Sequence, residues 1–183
     1  MAFRNRTEDE IRDIHVSRLE NGTWTASAAV HDDGWRIPAC PVNGPMLSAR
    51  GRNVAIAWFT VRDDGGHAYA AFSSDGGRTF GKPIRLDATS ALGRVDIELL
   101  PDDSAVATWV EFTEQRSEFS ARRVHPSGRM SERVTVAAIE GARTSGYPRV
   151  ARDGGELTFA WTESRTQGLR VRTARAVTPN ESK

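Results

Sequence analysis

The strongest constraint on this chain is a repeat. Val54-Ala55-Ile56-Ala57-Trp58, Ala105-Val106-Ala107-Thr108-Trp109 and Leu157-Thr158-Phe159-Ala160-Trp161 are versions of one apolar run closed by tryptophan. The three tryptophans recur at intervals of about 50 residues, a period that suits one supersecondary unit. Each run follows a polar turn: Arg50-Gly51-Arg52-Asn53, Pro101-Asp102-Asp103-Ser104 or Asp153-Gly154-Gly155-Glu156. Apolar residues precede each turn, so every unit opens with a hairpin. A third strand is predicted at Ala68 to Phe72, Glu118 to Val124 and Leu169 to Val177, and a fourth at Pro83 to Leu86 and Arg133 to Val136. Four strands in such a period predict a β-propeller blade, because a sandwich has short strands without this self-similarity.

The N-terminal stretch matches the second half of a unit, with Ile14 to Leu19 as third strand and Ala26 to Val30 as fourth. The expected organisation is an extension over 1–10, a half-blade over 11–39, and blades over 40–90 and 91–140. An incomplete blade over 141–177 and a tail over 178–183 follow. The fold class is all-β, four-stranded antiparallel blades amounting to about three blades' worth of strands. Only Glu8 to Arg12 has a helical look. Propellers close with about 4–8 blades, so the chain is expected to be part of a longer protein or to self-associate to complete a ring.

Composition narrows the function. The 183 residues carry a formal charge of +1 with acids and bases interspersed, which gives no electrostatic case for nucleic acid or an anionic membrane as partner. No apolar run approaches the roughly 18 residues of a membrane span. Met1 to Arg6 lacks the apolar centre of a secretory signal. Cys40 is the only cysteine, so an internal disulfide is impossible; beside Pro41 it is expected to be a small buried side chain. The sequons at Asn5, Asn21 and Asn180 would permit glycosylation, though Asn21-Gly22 is also turn chemistry. His15, His31, His67 and His125 have no zinc spacing, and no cofactor or metal is expected. His31 to Gly34 and Arg62 to Gly66 are read as Asp-Gly turns in preference to calcium loops.

One turn is distinctive: Ser73-Ser74-Asp75-Gly76-Gly77-Arg78-Thr79-Phe80. Gly77 permits positive φ, and the Asp75 carboxylate can accept backbone N–H groups of the turn. The hydroxyls of Ser73 and Thr79 can tie its ends, and Phe80 can plug the gap between neighbouring sheets. The segment resembles the Asp-box, S-x-D-x-G-x-T-W/F, of the sialidase-like BNR-repeat propellers at every defined position. Glu20 to Trp24 and His125 to Met130 are decayed copies, with Trp24 and Met130 at the plug position. The resemblance implies a propeller of six blades when complete, an extracytoplasmic setting and a glycan partner. It also implies that the turn locks the blade on the face opposite the active site. Trp35-Arg36-Ile37-Pro38 is similar to the family's Phe/Tyr-Arg-Ile-Pro motif, with Trp in first place and a different position in the repeat.

Sialidases of this family clamp the substrate carboxylate with arginines, attack with a tyrosine activated by glutamate, and use an aspartic acid/base. A neutral tyrosine suits an anomeric centre flanked by a carboxylate, and guanidinium groups suit the bidentate clamp. Strand direction places the lead-ins to the innermost strands around the channel mouth, opposite the Ser73–Phe80 turn. Those lead-ins contain Asn43, then Arg94, Asp96 and Glu98 alternating along one strand, then Tyr147 and Arg149. The resemblance implies Tyr147 as nucleophile, Glu98 as its base, Asp96 as acid/base, and Arg94, Arg149 and Asn43 as substrate contacts. The implied activity is exo-sialidase hydrolysis of terminal sialic acid. A non-catalytic glycan- or protein-binding propeller, or an inactive piece of a sialidase-family protein, fits the same residues if they only bond one another across a wet channel.

Overall fold

The computed structural model describes residues 1–113, 116–140, 146–165 and 168–178. The segment 141–145, part of the predicted lead-in to the last blade, and the Asn180 sequon lie outside the described residues. Among the described residues there is no helix, and the strands are antiparallel throughout. Sheet 1 joins β1 (Ala2–Arg4), β2 (Ile14–Val16) and β5 (Ala28–Ala29), with a hairpin of β3 (Leu19–Glu20) and β4 (Thr23–Trp24) between them. Sheet 2 runs in chain order through β6 (Met46–Arg50), β7 (Asn53–Arg62), β8 (Gly65–Ser73) and β9 (Ile84–Arg85). Sheet 3 repeats this with β10 (Ser90–Leu99), β11 (Ala105–Phe112), β12 (Ser117–Val124) and β13 (Val134–Ile139). Sheet 4 holds β14 (Arg149–Asp153), β15 (Glu156–Arg165) and β16 (Gly168–Val177).

The repeated run explains the packing. In β7 and β11 nearly every residue is buried on both faces, so these strands read as continuous apolar runs. Alternate residues then serve alternate junctions. Ile56 and Trp58 pack with Ile14 of sheet 1, whereas Ala55, Ala57 and Phe59 pack against Val95, Ile97 and Trp109 of sheet 3. Val106 and Phe119 on the other face of sheet 3 meet Leu157, Phe159 and Trp161 of sheet 4. Each repeat tryptophan therefore faces the preceding sheet.

The Ser73–Phe80 turn forms as its residue types require. Asp75 Oδ1 accepts the amides of Arg78 at 2.9 Å and Thr79 at 3.0 Å, and the hydroxyls of Ser73 and Thr79 each donate to the carboxylate at 2.7 Å. The amide of Thr79 is the largest of the contacts that hold Asp75 well below the usual carboxylate range. Gly76 and Gly77 both have positive φ, and Gly76 N–H donates to Arg52, tying this turn to the β6–β7 turn. Phe80 packs on the cluster of Ile14, Val16 and Val30, so it plugs the gap between sheets 2 and 1.

Four expectations change. Glu8 to Arg12 is a turn, not a helix: Thr7 accepts the Glu10 amide and Glu10 turns left-handed at φ 62. Residues within the expected extension form β1, whose ladder with β2 adds a strand to sheet 1. Cys40 is exposed, because its loop runs outside every sheet. Trp24 and Met130 are exposed instead of plugging a gap. The Asn21-Gly22 pair does make the β3–β4 turn, with φ of 50 and 80.

A carboxylate network links the strands of sheet 3. Glu118 accepts from Arg133 at 2.8 Å and Thr135 at 2.9 Å, with Arg116 at 3.1 Å, and these contacts, Arg133 first, hold its carboxyl down to about 2. A carboxyl lowered by folding contributes stability above its ordinary value and loses it as pH falls through the folded value. Urea midpoints should therefore fall between pH 4.5 and about 2, and Glu118→Gln should flatten that part of the profile. An unchanged slope in the variant would show that Glu118 is not the titrating group.

Candidate functional site

The lead-ins to β6, β10 and β14 come together at one end of the sheets, and the Ser73–Phe80 turn lies at the other. Strand β10 carries a bulge here: Gly93 pairs with Val110 and Asp96 with Thr108, so Arg94 and Val95 together oppose Trp109. The alternation expected for Arg94, Asp96 and Glu98 is thereby broken at Arg94, which sits left-handed at φ 53. Gly93 is forced by the same bulge. Its φ is +89, and a Cβ there would stand 2.5 Å from the Asn43 side chain.

Asn43 organises the mouth. Its Oδ1 accepts the Arg94 amide at 3.1 Å and its Nδ2 donates to Leu92 O at 3.2 Å. Tyr147 reaches across from the lead-in to sheet 4, and its hydroxyl donates to Val42 O at 2.8 Å. Burial lowers the Arg94 guanidinium, while the proximity of Tyr147 works in the other direction. Asn43, Arg94 and Tyr147 thus share one locality.

Asp96 and Glu98 face sheet 4. Asp96 Oδ2 accepts Val150 N–H at 3.0 Å and lies 3.1 Å from Arg149 Nε, and its Oδ1 accepts Ile97 N–H. Arg149 also points Nη1 at Met46 Sδ of sheet 2, 3.5 Å away. Glu98 stands 3.9 Å from Arg152. Burial pushes both carboxyls upward, Asp96 against the pull of Val150 N–H and Arg149, and Glu98 against Arg152. Among the described residues no contact joins Glu98 to Tyr147.

Sequence reasoning missed Arg4. Its guanidinium lies 4.7 Å above the Trp35 ring and donates to Asn43 O at 2.9 Å and to Arg12 O and Phe59 O at 2.5 Å each. Burial lowers it to about 10, with Asp33 and Asp13 opposing. Arg4 therefore braces the Asn43 loop against sheets 1 and 2, and nothing in the sequence set it apart from Arg6 and Arg12 nearby. The Trp35 to Pro38 segment has a packing role: Trp35 meets Phe59 edge-on and Arg36 is exposed. Asp33, from a predicted turn, accepts the Trp58 indole N–H at 2.7 Å. Among the described residues no group of three His, Cys, Asp or Glu side chains is placed to hold a metal.

No family model and no curated protein sequence matches this chain. Solved structures do match its fold. A mutant of the family-43 glycoside hydrolase BlXynB from Bacillus licheniformis aligns over 96% of this chain at 13% identity, with a TM-score of 0.52. A xylan β-1,4-xylosidase from Bacillus halodurans aligns over 96% at 12% identity and 0.50. A thermostable family-43 glycoside hydrolase aligns over 98% at 12% identity and 0.54. This chain spans 40% of the length of the first two and 70% of the third. The fold is therefore of β-propeller, glycosidase-like type. These neighbours are five-bladed, so they lend no support to the expected six blades.

Proposed function

We propose that this protein is a glycosidase-like propeller that binds an acidic glycan at the mouth formed by Asn43, Arg94, Tyr147 and Arg149, without sialidase turnover. One observation carries the reading: the Tyr147 hydroxyl donates to the Val42 carbonyl while Glu98 lies against Arg152. A tyrosine nucleophile needs a base within hydrogen-bond reach, and this arrangement separates the two. Arginine and tyrosine at an open mouth suit a carboxylated sugar, because guanidinium groups bond carboxylates with two parallel donors. Titration calorimetry with a sialylated oligosaccharide should give binding that its neutral counterpart lacks, and Arg94→Ala should weaken it about tenfold or more. Equal affinity for both sugars, or none for either, would end the proposal.

The exo-sialidase reading is kept for a specific reason: burial raises both Asp96 and Glu98, the direction that suits a general acid. Release of fluorophore from a sialoside, abolished in Tyr147→Phe, would replace the binding reading with hydrolysis.

A further inference from the structure

Two neighbouring junctions are closed differently at the turn end of the sheets. Between sheets 1 and 2, Phe80 fills the gap by packing on Ile14, Val16 and Val30. Sheet 3 carries Met130 at the same place in its decayed turn, His125 to Met130. Met130 takes no part in the cluster between sheets 2 and 3, is 38% exposed, and turns its sulfur to Arg122 Nη1 at 3.5 Å.

The junction between sheets 2 and 3 therefore stays open at that end. A cavity of about 470 Å³ lies there, bounded by Val54, Phe72 and Leu99 and by Pro126 of the decayed turn. Small-molecule pockets span roughly 300–1,000 Å³, so the space suits one. Both sheets that wall it have all four strands, and the opening is a property of the junction itself.

Two kinds of surface meet in this cavity. Val54 and Leu99 are buried and Phe72 is half-buried, which makes the floor apolar. The rim holds one acid and one cation, Asp103 and Lys82. Asp103 is bonded to Arg50 Nη2 at 2.6 Å, and the nearby Asp75 carboxylate is used within its own turn. Lys82 is exposed and, among the described residues, has no ion pair. An ammonium without a counter-charge above an apolar floor complements an acid with an apolar body.

We propose that this cavity binds an aromatic carboxylate, with its ring against Phe72 and Leu99 and its carboxylate at Lys82. A ring is favoured over an aliphatic body because aromatic pairs attract beyond the area they bury. The site is at the opposite end of the sheets from the Asn43, Arg94 and Tyr147 mouth, so it stands apart from the glycan reading.

The test is a methyl-resolved NMR titration with hydrocinnamate, and with hydrocinnamamide as its neutral counterpart. In wild type the acid should shift the Val54 and Leu99 methyls and leave those of Val42 and Met46 at the mouth unmoved. The amide should bind about threefold more weakly or worse, and Lys82→Ala should bring the acid down to the amide's affinity, as loss of one partly exposed ion pair does. Lys82 is exposed, so the variant should keep the wild-type spectrum. No shift up to the solubility of the acid overturns the proposal, as do shifts at the mouth instead. Equal affinity for acid and amide, or an affinity for the acid that Lys82→Ala leaves unchanged, overturns it as well.

Discussion

Trp109→Ala should cost about 3–5 kcal/mol of folding stability, the loss usual for truncating a fully buried large aromatic. Trp109 is wholly buried between sheets 3 and 2, where Ala55, Ala57, Phe59 and Ile97 surround it. No side chain or backbone group among the described residues accepts its indole N–H. Trp109→Phe should therefore be mild, within about 1.5 kcal/mol, since it keeps most of the ring and removes an unpaired donor. Trp161→Ala is the informative comparison. It fills the same place in the repeat but is only half-buried on sheet 4, so its loss should be clearly smaller. Urea unfolding of the three variants measures this. A Trp109→Ala loss below about 1 kcal/mol would mean that the sheets are not held by the repeat tryptophan.

The second large effect is expected at Asp87. Its carboxylate is fully buried, accepts the Ala68 amide at 2.7 Å, and takes Arg85 through Nε at 3.0 Å and Nη2 at 2.8 Å. His67, buried between sheets, lies 3.3 Å from it through Nδ1 and 2.8 Å from Asp64 through Nε2. Arg85 is 41% exposed and keeps water, but the buried Ala68 amide and His67 lose their partner, so Asp87→Ala should cost about 1–3 kcal/mol for each buried group stranded. Asp87→Asn keeps an acceptor for the Ala68 amide and should lose less. Thermal unfolding of both decides the matter, and equal small losses would show that β8 and β9 do not depend on this carboxylate.

Much of the fold was legible because its causes are local and repeated. The Val54, Ala105 and Leu157 runs state that a strand is buried on both faces, and the Asp-Gly and Asn-Gly turns state where it reverses. The Ser73–Phe80 turn could be built in advance because its bonds lie within eight residues. The outer edges were harder. Strands β5 and β9 have two residues each, shorter than the predicted segments, because edge strands are shaped by what lies beside them.

The mouth was legible only in part. The lead-ins containing Asn43, Arg94 and Tyr147 were placed together by strand direction alone, and they meet. Their bonds were not readable. A one-residue bulge at Arg94 and Val95 changes which side chains share a face, and Gly93 beside it was the only hint of it in the sequence. Asp96 was expected as the acid/base, and its bonds to the Val150 amide and Arg149 of the next sheet could not be read from the sequence.

The sequence by itself determined the antiparallel sheets, their order and the faces that bury, because periodicity and turn chemistry act over a few residues. Tertiary structure alone decided what those faces meet. It set Arg4 against the Asn43 loop, buried His67 between two carboxylates, and left Trp24 exposed where Phe80 is covered. Each outcome depends on which surface arrives from a distant part of the chain, and desolvation and packing are properties of that meeting.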